Sequence, residues 1–202
     1  ALPMNRPLMA EDLERLSLAV LMIRLLGRKT ITGTLEMTHE RGTCYLPVVA
    51  GCPLLSETEH LEILRAFTFP AVTYRLQLGH PSSRGRLPVR MVQLVVEGLH
   101  ATLRNFPMSE LSHAVRPWMN QIPMLRDSRR RYVKKLHLEA LEQRLLPHLD
   151  GSNSVRDLAD CGLGHRTAFQ LVIILELFGF LTWRRDQGSQ AEPSLRADNT
   201  SR

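Results

Sequence analysis

Residues 27–56, GRKTITGTLEMTHERGTCYLPVVAGCPLLS, constrain the fold of this chain more than any other stretch. Three short runs of strand-forming residues are separated by two glycine-containing breaks, which is the pattern of a β-meander. In the first run Leu35 and Met37 alternate with Thr34, Glu36 and Thr38, giving one apolar face. His39-Glu40-Arg41-Gly42 is a polar break ending in a residue that can take positive φ. The second run alternates Cys44, Leu46 and Val48 with Tyr45, Pro47 and Val49. Ala50-Gly51 then turns the chain into a third run over 52–56. Pro47 and Pro53 cannot donate to a ladder, so they are expected at edges or bulges.

The rest of the chain reads around this meander. Residues 1–10 form an arm, and Ser17 caps a helix carrying Leu18, Leu21, Met22 and Leu25 that ends at Gly27. After the meander a short helix over 60–67 stops at Pro70. Residues 71–78 return to strand chemistry, with Val72, Tyr74 and Leu76 on one face. Residues 80–87 are a loop, and Pro88 suits the first position of a helix over 88–104. That helix carries Val89, Val92, Val96, Leu99 and Leu103 on a stripe wide enough to cover a sheet. A short helix over 109–118 and a connector over 120–125 follow, then one helix over 128–146. Ser154 caps a helix over 155–159, Gly162 and Gly164 turn the chain, and 165–177 is the longest apolar helix, with a short exit strand after it. Residues 184–202 have the composition of a disordered tail.

Strand runs cluster before residue 80 and helical patterns follow. The expected fold is therefore α+β: an antiparallel sheet of about four strands packed on helices, then an all-helical unit. The units expected are 11–117, 126–183 and the tail 184–202.

An apolar helix, a T-x-T-G-x-L-like turn (Thr30, Gly33, Leu35), a strand into a Gly turn (Tyr45, Gly51), a helix and an F-x-F-like strand (Phe67, Phe69, then Tyr74) resemble the bacterial PATAN-like domain. The resemblance covers about 11–104. It implies a non-catalytic adaptor module in signalling or motility proteins. The later pattern, helix, L-D-G break, short helix, Gly turn, long helix and exit strand, resembles the winged-helix-like module that often follows such domains.

Searching for chemistry yields little. The three cysteines, Cys44, Cys52 and Cys161, show no C-x-x-C pairing, so reduced thiols and a cytoplasmic location are expected. No apolar run approaches the ~18 residues of a membrane span, and residues 1–7 lack the regions of a signal peptide. The eight histidines show no metal-ligand spacing, so no metal and no cofactor is expected. Glu57, Glu59, His60 and Glu62 fit a solvated helix start better than an acid–base group. No G-x-S-x-G, Walker A or G-x-G-x-x-G motif occurs, and the reading is not an enzyme.

The net charge of +6 points to an acidic partner. Arg126, Arg129, Arg130, Arg131, Lys134 and Lys135 are the candidate binding residues. On a continuous helix Arg130, Lys134 and His137 would share one side. A protein with an acidic surface is the expected partner, and nucleic acid is the alternative. The helix over 165–177 is apolar nearly all round: Phe169, Ile173, Ile174 and Leu177 fill the side opposite Ala168, Leu171, Val172 and Leu175. Such a helix must be buried on both sides, by packing within the chain or in a homodimer, and does not suit reading DNA.

Overall fold

The computed structural model describes residues 16–26 and 30–185. The expected arm over 1–10, the helix stop at Gly27 and nearly all of the expected tail lie outside them. The meander forms three consecutive antiparallel strands, β1 (Gly33–His39), β2 (Gly42–Val49) and β3 (Cys52–Leu55). Strands β4 (Thr73–Leu78) and β5 (Leu87–Pro88) join its two edges, giving the order β4-β1-β2-β3-β5. The sheet therefore has one strand more than expected. Ala50 and Gly51 both take positive φ, 50° and 77°, as a two-residue hairpin demands. Thr32 holds that turn from outside, its Oγ1 accepting the Ala50 N–H at 3.0 Å.

The two prolines set where the ladders end. The pairing of β2 with β3 covers Val48↔Pro53 and Val49↔Cys52 and stops before Pro47, so β2 has only β1 beside it there. Pro53 accepts the Val89 N–H through its carbonyl at 2.9 Å, and the Val89 carbonyl faces the Cys52 thiol at 3.5 Å. A thiol thus occupies the place of the N–H that a proline lacks.

The inner face of the sheet presents Leu35, Met37, Cys44, Leu46 and Val48, all buried. They share one core with Met22 of α1 (Ser17–Leu26), Ile63 of α2 (Glu57–Phe67) and Leu94 and Leu99 of α3 (Met91–Asn105). Gly98 lets α2 and α3 close together, since a Cβ there would lie 2.5 Å from the Phe67 ring. The expected F-x-F strand is not formed: Phe67 ends α2, and Phe69 stacks on His39 with centroids 4.0 Å apart. Pro88 does not open a helix. It pairs with Leu54 in β5, and α3 begins at Met91.

The second half contains α4 (Met108–Val115), β6 (Gln121–Leu125), α5 (Asp127–Val133), α6 (Ala140–Leu145), α7 (Val155–Asp160), α8 (His165–Leu177) and β7 (Leu181–Arg185). β6 pairs antiparallel with β7, so the expected connector is a strand and this half is not all-helical. Trp118 and Trp183 stack beside that ribbon, centroids 5.5 Å apart. The single helix expected over 128–146 is broken into α5, a 3-10 turn (Lys134–Leu136), left-handed His137 and α6. Leu136 and Leu138 are both buried at a spacing of two, which would set them on nearly opposite sides of one continuous helix. Glu139 and Glu142 then restart the chain as a capping box.

Helix α8 begins and ends where its pattern places it. Every residue from Ala168 to Leu175 is buried within the chain, and Leu177 packs against the same core. A single hydrophobic cluster runs from the sheet to α8, with α4, α6 and α7 lying against it. Among the described residues, the Gln170 amide Nε2 is buried without a hydrogen-bond partner. An unpaired buried donor costs about 1–3 kcal/mol. Gln170→Met, which keeps the shape, is therefore expected to raise stability by about 1 kcal/mol in urea unfolding. A loss of stability would show that the amide is satisfied.

Candidate functional site

The basic segment is the strongest charge feature of the fold, and the structure divides it. Arg126 is spent internally: its N–H bonds the Phe180 carbonyl at 2.9 Å and its Nε bonds the Leu181 carbonyl at 2.8 Å. It ties α5 to the start of β7 and does not belong with the outward cations. Arg129 is half-buried, while Arg130, Arg131, Lys134 and Lys135 are exposed. Val133 and Leu136 are buried and anchor the segment. The break at His137 removes the straight stripe of Arg130, Lys134 and His137 expected from one helix. Two of the cations lie over Tyr132 instead. The Arg131 guanidinium lies 4.8 Å from its ring centroid and the Lys135 ammonium 5.1 Å, both within cation–π reach. Among the described residues, none of Arg129, Arg130, Arg131, Lys134 and Lys135 forms an ion pair.

The acidic corner after β3 is structural. Ser56 and Glu59 form a capping box at the start of α2. Arg86 grips the same carboxylate, with Nε 2.9 Å and Nη2 2.6 Å from Oε1. Hydrogen bonding to Arg86 first, and then to Ser56, holds the Glu59 carboxyl down at about 2. A cavity of about 290 Å³ opens beside the pair, lined in part by Thr34, Tyr45, Pro47 and Glu62. Its one cation is already occupied, because the remaining Arg86 Nη1 donates to the Ser82 carbonyl. His60 is paired with Glu97 at 2.8 Å, which joins α2 to α3.

Because the folded value of Glu59 lies below its ordinary 4.5, the ionised pair stabilises the fold fully above pH 4.5. That contribution is lost as pH falls through about 2. Arg86→Met is expected to lower stability at neutral pH and to flatten its dependence between these values, read by thermal unfolding across pH. An unchanged acid limb would show that the pair contributes nothing.

Two further groups tie the halves together, and nothing local in the sequence announces either. His100 of α3 and Glu142 of α6 are both buried, with His100 Nε2 2.9 Å from Glu142 Oε2. Glu142 also accepts the Glu139 N–H at 2.9 Å, and Glu139 pairs with Arg104. Arg166 donates from Nη1 to the Leu103 carbonyl and from Nη2 to the Phe106 carbonyl, each at 3.0 Å. One guanidinium thereby caps the C-terminus of α3 and seats the first turn of α8 on it. These partners stand 42 and about 60 residues apart in the chain.

Burial, and secondarily the charge of Glu62, pushes the Cys44 thiol up to about 11, away from the reactive thiolate. Among the described residues no group of three His, Cys, Asp or Glu side chains is placed to hold a metal. Among the same residues no helix is long and apolar enough to cross a membrane. Comparison with protein-family models, with characterised proteins and with solved structures yields no match.

Proposed function

We propose that this chain is a non-enzymatic cytoplasmic adaptor in bacterial signalling or motility, which binds an acidic protein surface through Arg129, Arg130, Arg131, Lys134 and Lys135. The observation that carries the reading is the absence of ion pairs at those five cations among the described residues, on a short segment pinned by Val133 and Leu136. Cations without ion pairs among the described residues, two of them held over the Tyr132 ring, form a surface that an acidic protein neutralises at little cost in ordering. The PATAN-like pattern around Thr30, Gly33 and Leu35 supports an adaptor role. Burial of residues 168–175 argues against groove reading by α8, because most of that helix has no wet face to present.

Replacing Arg129, Arg130 and Arg131 with Glu is the direct test. The variant is expected to keep its stability to within about 0.5 kcal/mol per exposed site. It is also expected to lose a protein that the parent captures from host extract, with or without nuclease treatment. Capture dominated by nucleic acid and abolished by nuclease would overturn the adaptor reading in favour of the alternative.

A further inference from the structure

The edge of the sheet at β4 carries an inference independent of the basic segment. All six residues of β4 are exposed. Its register with β1 sets Tyr74 beside Met37, Leu76 beside Leu35 and Leu78 beside Gly33. Residues directly opposite in an antiparallel pair share a face. Tyr74, Leu76 and Leu78 therefore extend the apolar inner face one strand beyond what the helices cover. Gly33 offers Leu78 no side chain to lean on, and Leu78 is 79% exposed.

Among the described residues, β4 is an edge strand with no pairing partner on its outer side. The Gly79 N–H donates to the Thr32 carbonyl at 3.3 Å, continuing the register Gly33↔Leu78. Hydrogen-bonded pairs alternate along an antiparallel ladder. Thr73, Arg75 and Gln77 thus face β1, and the N–H and C=O groups of Tyr74, Leu76 and Leu78 point away from the sheet. An apolar stripe and a ladder edge unpaired among the described residues occur at the same three residues.

The geometry points to a second copy of this chain as the occupant, with β4 pairing antiparallel to β4 about a two-fold axis at Leu76. In that register Leu76 faces Leu76 of the other copy and Tyr74 faces Leu78, so each stripe covers the other. The outer face agrees. Arg75 falls opposite Gln77 of the second copy, whose amide donates to Glu36 at 2.9 Å, so each guanidinium approaches an acid. A register centred one residue earlier would set Arg75 against Arg75, a like-charge pair that costs stability. A single-strand seam lies at the small end of specific interfaces, so weak, concentration-dependent association is expected.

Sedimentation velocity of the whole chain, from about 5 to 500 µM, is expected to show conversion to twice the 23.0 kDa mass. Leu76→Pro removes an outward N–H and spares the ladder to β1, and is expected to weaken dimerisation at least about tenfold. Its folding is checked by thermal unfolding. Leu76→Cys, with the exposed Cys161 changed to Ser, fixes the register without relying on proline. Residues paired across such a ladder sit about 5.5 Å apart at Cα, within disulfide reach. Gentle oxidation is expected to cross-link Leu76→Cys and to leave Arg75→Cys single, since Arg75 faces Gln77. A parent that stays monomeric at the highest concentration, a dimer that Leu76→Pro leaves intact, or cross-linking at 75 in preference to 76 would each overturn the proposal.

Discussion

Ile173→Asp is expected to lose about 5 kcal/mol of folding stability, enough to leave much of the chain unfolded at ambient temperature. Ile173 is 1% exposed and lies on the side of α8 opposite Ala168 and Leu171, with buried Phe169 and Ile174 beside it. The variant removes a branched apolar side chain and places a carboxyl among buried apolar neighbours. Two costs add, cavity formation and burial of an unpaired acid. Urea unfolding followed by far-UV circular dichroism reads the loss directly. Near-parental stability would mean that this face of α8 is wet, which would return the helix to the list of nucleic-acid readers.

His100→Leu is expected to cost about 3–5 kcal/mol, because it leaves the buried Glu142 carboxyl with only the Glu139 amide. Glu142 is 1% exposed and His100 6%, so water cannot substitute for the missing partner. The double variant His100→Leu with Glu142→Leu is expected to recover much of that loss, since two apolar side chains of fitting volume need no pairing. The double-mutant cycle therefore has a strong positive coupling as its signature. Additive losses would show that the two groups act separately and that the pair does not hold α3 to α6.

These two sites mark what a single sequence does and does not disclose. Period-two alternation at Leu35, Met37, Cys44 and Leu46 defined the inner face of the sheet, because strand periodicity is local. Ser154 and the glycines at 162 and 164 placed α7 and α8 closely, because caps and turns are local too. Failures came where long-range packing overrode a local pattern. The stretch over 128–146 is helix-forming throughout, yet the chain breaks at left-handed His137, with buried Leu136 and Leu138 on either side of it. Residues 120–125 read as a connector because Pro123 is a poor strand former, and only pairing with β7 makes them a strand. Tyr74 and Leu76 read correctly as one face of a strand, while their exposure depends on which elements reach that edge, which alternation does not carry.

The basic segment was legible as composition but not as geometry. Arg126 counted with its neighbours in sequence, and only the carbonyls of Phe180 and Leu181 show that it is a clasp. Tyr132 carries no signal in the sequence beyond its place in a helical stretch, whereas in the fold Arg131 and Lys135 lie over its ring. The pairings of His100 with Glu142 and of Arg166 with the end of α3 join residues far apart in the chain, and neither spacing carries a signal.

The adaptor reading rests on what the outward cations touch, so the decisive measurement is made at one of them. A photo-cross-linking amino acid at Lys134, which is exposed and makes no ion pair among the described residues, reports its neighbour inside the host cell. The account predicts a protein adduct that mass spectrometry maps to an acid-rich surface segment, and which disappears when Arg129, Arg130 and Arg131 are changed to Glu. An adduct on nucleic acid, or a protein adduct indifferent to that charge reversal, would contradict it.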